Sequence, residues 1–322
     1  MSITRIYAEQ KENLAIIEKK LAETLETSHS ILHDAALNLL RAGGKRIRPL
    51  LVLFSSEYGD PLHREVIDAA VTLELIHMAS LVHDDIVDDS DLRRGKPTVR
   101  AQWDNRVAIY TGDYIFAKAI ELIAQFEHPK VHLIISRVIR DLSLGEIDQI
   151  RDLYNWHQNL RCYLRRIKRK TALLMALSCQ LGAIAGGCGY DLSRRLYYFG
   201  YFLGMSYQIT DDILDFVGTQ KQLGKPAGSD LRSGNITLPT FYALRDPSLR
   251  ESIVAVLDAP HPGEKDWRTV IDRIRQSDAV DRSQRLSDRY LQKAVLILEA
   301  LPKTAASEPL REIAAYVGER NY

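Results

Sequence analysis

The sequence predicts an all-α protein. Apolar residues recur at intervals of three and four along most of its 322 residues, as in the stripe formed by Leu14, Ile17, Leu21 and Leu25. No stretch alternates apolar and polar residues with the β-branched enrichment that is typical of a strand. Glycine and proline gather in a few short segments, which we expect to be loops between helices: 43–44, 95–97, 224–234 and 260–262.

The predicted helices follow one another along the whole chain. A nearly continuous helical pattern over 66–87 comes after Asp60 and Pro61, which suit an N-cap and the first helical position. Further stretches that favour helix are 112–126, 131–152, 157–188, 192–218 and 237–257. We therefore expect one domain over residues 1–322, built as a single large helical bundle around a central cavity.

The composition excludes several classes of protein. A formal net charge of +1 with 46% hydrophobic residues excludes a disordered chain and argues against a nucleic-acid-binding protein. Three cysteines are too few for a disulfide framework, and they match no metal-ligand spacing. The N-terminus lacks the apolar segment of a signal peptide, so we expect a cytoplasmic protein.

An acidic segment ends the helix predicted over 66–87. Asp84, Asp85 and Asp88 place two carboxylates one turn apart on that helix, about 6 Å along its axis. Carboxylates at a C-terminal helix end repel one another and oppose the helix dipole, so a cation is needed to compensate them. Mg²⁺ suits aspartates that leave coordination positions open for phosphate.

The same spacing recurs in Asp211, Asp212 and Asp215, again after an apolar helical stretch. If both helices line one cavity, metal ions held by the two motifs can neutralise a departing pyrophosphate. Basic segments accompany the motifs and favour diphosphate binding over nucleic-acid binding: 45–48, 93–96, 161–170 and Lys225. Glu74 and His77 have the spacing of a carboxylate di-iron ligand pair, but the sequence contains no second such pair.

Five segments occur in an order that identifies a family: GGKRIRP, ELIHMASLVHDDIVDDSDLRRGKPT, GDYIFAKA, YQITDD and GKPAGSDL. The chain resembles the trans-polyprenyl diphosphate synthases, which have the isoprenoid synthase class I fold. Through GEIDQIRDLY and GNITLP it resembles more closely the large catalytic subunit, component II, of two-component heptaprenyl diphosphate synthases.

The resemblance implies a role for each matching residue. Two or three Mg²⁺ ions per active site would have as metal ligands Asp84, Asp88, Asp211 and Asp215. The implied catalytic residues are Asp84, Asp85, Asp88, Asp211, Asp212 and Lys170. The allylic diphosphate would contact Arg93, Lys170, Thr171, Gln208 and Lys225, and isopentenyl diphosphate would contact Lys45, Arg48, His77 and Arg94. Gln149 would lie near the metal ions, and Asn235 stands where many relatives have a lysine.

The resemblance also implies the reaction. The chain would extend an allylic diphosphate, farnesyl diphosphate by expectation, with several isopentenyl diphosphates into an all-trans product of C30 to C40. We favour C35, a precursor of the menaquinone side chain. Ala79 and Ser80, just before the first aspartate, are small and leave the path of the product open, whereas Ile76 deflects it.

Three alternatives stay open. The chain could be a homomeric hexaprenyl or octaprenyl diphosphate synthase, a class I terpene cyclase, or a non-catalytic regulatory subunit, although both intact aspartate motifs disfavour the last two. Apolar segments at 112–123 and 197–202 exceed what one core needs and indicate a subunit interface. The expected partner is a small helical subunit, component I, in a heterodimer, or else a second copy of this chain. We expect at most peripheral membrane contact, for product release.

Overall fold

The computed structural model describes residues 3–60, 63–218 and 226–319. These residues form the α-helices Ile3–Glu9 (α1), Lys11–Thr24 (α2), Ser30–Arg41 (α3), Ile47–Ser56 (α4), His63–Val87 (α5), Val99–Gln102 (α6), Asn105–Ile123 (α7), Pro129–Arg151 (α8), Leu160–Ile167 (α9), Leu173–Ala185 (α10), Tyr190–Val217 (α11), Ser229–Arg232 (α12), Leu238–Ala243 (α13), Pro247–Asp258 (α14), Glu264–Gln276 (α15), Ala279–Glu299 (α16) and Ser307–Gly318 (α17). A π-helix, Lys168–Ala172, joins α9 to α10. The all-α prediction is confirmed.

The chain divides into two compact units. The first comprises Met1–Ile139, Leu174–Gly200 and Ile297–Ile313, and the second comprises Arg140–Leu173, Tyr201–Leu296 and Ala314–Tyr322. Each unit carries one of the two aspartate motifs. One domain over residues 1–322 stays a prediction.

Helix α5 is the central element of the first unit. Val66 to Val82 is buried along most of its length, and α5 packs closely against α7. Gly112 permits this approach, because a Cβ atom there would lie 2.3 Å from Nε2 of His83. The segment Arg64–Val87 is long and apolar enough to cross a membrane, yet 78% of its most apolar window is buried inside the structure. It is therefore a core helix of this fold.

The second unit has its own apolar core. Side chains from the helices α9, α11, α13 and α15 meet in it, among them Tyr163, Phe216, Leu238 and Trp267. Three of these four are aromatic, and each buries a large apolar area. This core fixes the end of α11, where the second aspartate motif lies.

Two local features differ from the sequence-based expectation. A two-residue antiparallel hairpin pairs Leu92–Arg93 (β1) with Lys96–Pro97 (β2) where only a loop was expected. Its turn residues Arg94 and Gly95 have φ of 53° and 75°, the left-handed values that a tight hairpin turn requires. The single helix predicted over 237–257 is wrong, because it breaks before Pro247. The Asp246 carboxylate accepts hydrogen bonds from the backbone N–H groups of residues 248 and 249 at 2.8 and 3.2 Å and caps a new helix there.

Candidate active site

The first aspartate motif lies in the first unit, at the C-terminal end of α5. Asp85 is only 3% exposed. Its carboxylate accepts hydrogen bonds from Nε and Nη2 of Arg93 at 2.9 and 2.6 Å. Burial raises the pKa of Asp85, and the Arg93 guanidinium partly opposes that shift. Asp84 is half-buried and Asp88 is exposed, so these two carboxylates are the more accessible members of the motif.

The hairpin after α5 brings Arg94 to the segment 43–48. The Arg94 guanidinium lies against the backbone of Gly44, since a Cβ atom on that glycine would be 2.6 Å from Nη1 of Arg94. A side chain at position 44 would therefore displace Arg94. Lys45 and Arg48 come from the same segment, and the backbone carbonyl of Lys45 accepts a hydrogen bond from the Tyr7 hydroxyl.

His77 lies in a basic corner of the first unit, which it forms with Arg48 and Arg94. The residue is partly exposed, and it lies two turns before the first aspartate on α5. Its pKa lies well below the usual range because of desolvation and because of nearby positive charges, which belong to Arg48, Arg94, Arg93 and Arg46. The guanidinium groups of Arg48 and Arg94 near this ring add positive charge, which favours an anion such as a diphosphate. The structure thus brings Arg48, His77 and Arg94 together, and their role in binding isopentenyl diphosphate stays a prediction.

The second aspartate motif lies in the second unit, on α11. Asp212 is 4% exposed. It accepts hydrogen bonds from the Tyr163 hydroxyl at 2.7 Å and from Nε2 of Gln208 at 2.9 Å. Burial, reinforced by the negative charge of Asp230, raises the pKa of Asp212 to about 7, while both hydrogen bonds oppose the rise. Burial likewise raises the pKa of Tyr163 well above its usual value, so that phenol remains a donor.

Asp215 holds the N-terminal end of α12. Its carboxylate accepts hydrogen bonds from the Ser229 hydroxyl at 2.7 Å and from the backbone N–H of Asp230 at 3.1 Å. Its backbone carbonyl accepts a further bond from Gly228 at 2.7 Å. Asp215 is buried and Asp211 is half-buried, so Asp211 is the more accessible carboxylate of this motif.

A π-helix presents the predicted pair Lys170 and Thr171. Nζ of Lys170 donates to Oε1 of Gln149 at 3.0 Å, and the Thr171 hydroxyl donates to Oε1 of Gln208 at 2.5 Å. Because Gln208 in turn donates to Asp212, the threonine is linked to the second aspartate motif. Single π-turns inside helices are frequent at functional sites. The second unit therefore brings together five residues that were singled out from the sequence: Gln149, Lys170, Thr171, Gln208 and Asp212.

Two expectations concern the segment after α11. Lys225 lies outside the described residues. Asn235 is half-buried, and its amide donates a long hydrogen bond, 3.3 Å, to the Ser233 hydroxyl. The Asn235 side chain thus forms a hydrogen bond within its own loop.

A family model for polyprenyl synthetases matches residues 29–274. The chain belongs to the polyprenyl synthetase family. It is 50% identical over 322 residues to heptaprenyl diphosphate synthase component 2 of Geobacillus stearothermophilus, and the match covers 100% of both chains. It is 49% identical to heptaprenyl diphosphate synthase component 2 of Bacillus subtilis (strain 168), over 100% of this chain and 92% of the relative.

Solved structures of polyprenyl synthetases share the fold. The crystal structure of heptaprenyl diphosphate synthase from Staphylococcus aureus gives a TM-score of 0.93 at 39% identity, with 97% of this chain and 99% of that chain covered. Polyprenyl synthase from Caulobacter crescentus CB15, complexed with calcium and isoprenyl diphosphate, gives 0.94 at 31% identity, with 100% and 98% covered. The resemblance seen in the sequence is confirmed, and the chain is a prenyltransferase by family.

Polyprenyl synthetases use divalent metal ions, and the donor chemistry of this chain fits them. Among the described residues, no group of three or more His, Cys, Asp or Glu side chains forms a complete metal-binding set. Each motif instead buries its middle aspartate in hydrogen bonds and leaves a half-buried carboxylate, Asp84 or Asp211, more accessible. An incomplete oxygen-ligand set suits an ion that takes further ligands from a phosphate and from water.

Several residues of the site escaped the sequence reasoning. Tyr163 was attributed to a basic segment, but it is fully buried against Asp212. Arg169 forms an ion pair with Asp148 and thereby holds the π-helix to α8. Glu74 was considered only as a di-iron ligand, yet its carboxylate pairs with Arg46. The apolar stretch 66–82 contains two carboxylates, Asp68 and Glu74, and this was the available signal that a cation would meet each of them.

Proposed function

We propose that the chain is the catalytic component of a two-component heptaprenyl diphosphate synthase. The observation that carries this proposal is the full-length similarity to the two relatives named as component 2. Two aspartate motifs at helix ends and a positive corner around His77 supply the chemistry that two diphosphate substrates need. The proposed product is all-trans heptaprenyl diphosphate, a precursor of a quinone side chain.

The positive corner of the first unit binds isopentenyl diphosphate. Lys45, Arg48 and Arg94 supply the charge, and the neutral ring of His77 supplies a hydrogen-bond partner. The charges of Arg48 and Arg94, which help to depress the pKa of His77, also stabilise a bound diphosphate. Because this diphosphate stays on the substrate throughout the reaction, the corner serves binding and orientation.

The aspartate motifs serve the allylic diphosphate, which must depart. When two or three Mg²⁺ ions are bound, they supply charge neutralisation for the leaving group. Asp84, Asp88, Asp211 and Asp215 hold these ions, while Asp85 and Asp212 brace the two motifs through their hydrogen bonds. The diphosphate itself is bound by Arg93, Lys170, Thr171, Gln208 and Lys225.

Condensation replaces the allylic C–O bond with a new C–C bond. The allylic C1–O bond breaks, and its electron pair goes to the diphosphate oxygen. The double bond of isopentenyl diphosphate attacks the allylic C1 and forms the new C–C bond. Attack through C4 of isopentenyl diphosphate leaves a positive charge at C3. The departing diphosphate then accepts a proton from C2, and the electron pair of that C–H bond forms the new double bond between C2 and C3. Lys170 and the other cations stabilise the negative charge that develops, which is electrostatic catalysis. No nucleophilic side chain takes part.

The proposal also covers the length of the product and the partner subunit. Helix α5 has 25 residues and is therefore about 37 Å long, enough to line a C35 chain. Ile76, Ala79 and Ser80 on this helix set the path of the chain. A small helical partner subunit, component I, helps to enclose the growing product, and the complex works in the cytoplasm with peripheral membrane contact at most.

The test is product analysis of the purified chain. It is incubated with Mg²⁺, farnesyl diphosphate and isopentenyl diphosphate, alone and together with a candidate partner subunit, and the products are identified by mass spectrometry. We expect C35 product with the partner and little or none without it. Full long-chain synthesis by the isolated chain would contradict the need for a partner and favour a homomeric synthase. No condensation under either condition would favour a regulatory subunit.

A further inference from the structure

Arg46 makes an unusual connection within the first unit. Its backbone is left-handed, with φ of 43° and ψ of 32°, at the N-cap of α4. Its side chain is only 9% exposed and forms an ion pair with Glu74 on α5, Nη1 to Oε1 at 2.6 Å. Nε and Nη2 contact the two carboxylate oxygens of Glu18 on α2, the second at 3.2 Å. One side chain thus joins the segment 43–48 to two helices.

The chemistry of this cluster excludes Arg46 itself as a diphosphate ligand. The guanidinium carries one positive charge, and two carboxylates surround it, so the three groups together are negative. All three nitrogens of the guanidinium already donate to these carboxylates. An anion gains no net attraction from such a cluster.

The conformation of Arg46 also requires an explanation. A left-handed backbone is unfavourable for a residue with a side chain, and such positions persist where the surrounding structure holds them. Glu74, with a side chain 5% exposed, would be a buried uncompensated charge without Arg46. The ion pair therefore holds the turn in a shape that it would not otherwise keep.

The neighbours of Arg46 indicate the role of this turn. Lys45 precedes it directly, and Arg48 follows two residues later. Glu74 lies one helical turn before His77, on the same face of α5. The adjacent Gly44 provides the backbone surface against which Arg94 lies. The ion pair thus links the segment that carries two cations to the helix that carries the histidine.

We propose that Arg46, clamped by Glu74 and Glu18, is a positioning residue for the isopentenyl diphosphate site. It sets the placement of Lys45 and Arg48 relative to His77, and it contacts no substrate. This inference rests on the proposed function, which assigns isopentenyl diphosphate to those side chains. Since small displacements of binding groups cost large factors in rate or affinity, loss of the clamp affects this substrate selectively.

The test measures both Michaelis constants separately, each with the other substrate saturating. Arg46→Gln should raise the KM for isopentenyl diphosphate about tenfold or more, and leave the KM for farnesyl diphosphate within about twofold. Arg46→Lys keeps the charge but cannot reach both carboxylates, so it should recover part of the loss. Equal effects on both KM values, or a fall in kcat alone, would overturn the proposal.

A matched control separates positioning from stability. Lys20 forms an ion pair with Asp68 that also joins α2 to α5, away from the segment 43–48. Lys20→Gln should lower the thermal unfolding midpoint while changing neither KM. If Arg46→Gln fails to fold, Glu18→Gln replaces a carboxylate whose side chain is 41% exposed. That variant should still raise the KM for isopentenyl diphosphate about threefold. An unchanged value there would overturn the inference.

Arg48→Ala distinguishes this inference from the function on which it rests. A raised KM for isopentenyl diphosphate in Arg48→Ala together with a normal KM in Arg46→Gln overturns the positioning role alone. A normal KM in Arg48→Ala overturns the assigned isopentenyl diphosphate site, and the positioning role with it.

Discussion

The hydroxyl of Tyr163 donates a 2.7 Å hydrogen bond to the buried carboxylate of Asp212. The bond ties the second aspartate motif to α9, within the core of the second unit. It also stabilises the ionised form of a carboxyl whose pKa burial has raised to about 7. Tyr163 therefore influences both the position and the charge of the motif.

Tyr163→Phe should lower activity at neutral pH about tenfold, the size typical of residues that orient a metal-binding group. Loss of the hydrogen bond raises the pKa of Asp212 further, so less of the carboxyl is ionised near pH 7. Activity that needs the carboxylate rises with pH, and its acidic limb should move to higher pH in the variant. A pH profile of kcat, with recovery at about pH 8.5, checks this.

The matched control is Tyr290→Phe. Tyr290 belongs to the same unit, and its ring packs against Phe202. Its variant should keep the parental pH profile. Identical profiles for Tyr163→Phe and the parent protein would show that this hydrogen bond does not tune the motif.

Product length should respond to one face of α5. Ile76, Ser80 and Asp84 recur every fourth residue, so they lie on one stripe of the helix. Ser80 is half-buried, and its hydroxyl donates to the backbone carbonyl of His77 at 2.8 Å. Ser80→Phe should block the path of the product and shift it toward C15 or C20. Ala79→Tyr should act in the same direction, and Ile76→Gly should lengthen the product. Mass spectrometry of the products measures the shift.

Met78→Phe is the control for this prediction. Met78 is buried and lies about 200° around the helix axis from Ser80. It should leave the product distribution unchanged. An unaltered distribution in both Ser80→Phe and Ala79→Tyr would show that the product does not run along this stripe.

The three thiols should differ in reactivity according to their burial. Cys179 is fully buried, and desolvation raises its pKa to about 12, whereas Cys162 and Cys188 are partly exposed. Because a thiolate forms only as pH rises toward the pKa, Cys179 should resist a thiol reagent at about pH 8. Native protein should show two reactive thiols, and denatured protein should show the third. Reaction of all three in the native state would contradict the packing of α10.

The raised pKa of Cys179 also determines how its contribution to the free energy of unfolding changes with pH. The folded state favours the protonated thiol, so the contribution of Cys179 is complete below the unfolded pKa of about 9 and is lost as pH rises toward about 12. Cys179→Ala should therefore show a smaller loss of unfolding free energy over that range than the parent protein. An equal loss would mean that other groups account for the alkaline transition.

The sequence sufficed for features that depend on local periodicity. The apolar spacing of Leu14 to Leu25 predicted α2, and the apolar run before Asp84 predicted α5. Both aspartate motifs lie at the ends of the helices that were predicted for them. Short-range patterns determine these features, and the sequence displays such patterns directly.

Features that depend on long-range partners could not be predicted. Nothing in the segment 161–170 reveals that Tyr163 meets Asp212, or that a π-turn carries Lys170. The left-handed Arg46 requires two carboxylates that lie 28 residues away on either side. The helix break at Asp246 does have a local signal, an Asp-Pro pair that caps and begins the new helix, but the apolar spacing over 237–257 favours one continuous helix.

The proposed function requires both aspartate motifs for a metal-dependent condensation. Asp84→Asn and Asp211→Asn each remove one accessible carboxylate charge while keeping the size of the side chain. Asp91→Asn is the control, since Asp91 is an exposed acid just after the first motif whose carboxylate pairs with Arg100. All three variants should keep the helical circular dichroism of the parent protein.

The most direct measurement is single-turnover condensation of farnesyl diphosphate with isopentenyl diphosphate, over a range of Mg²⁺ concentrations. Asp84→Asn and Asp211→Asn should each slow product formation by roughly three orders of magnitude, since each weakens the charge neutralisation of the leaving group. Asp91→Asn should react at the parental rate. A near-parental rate in either Asp84→Asn or Asp211→Asn would contradict the account.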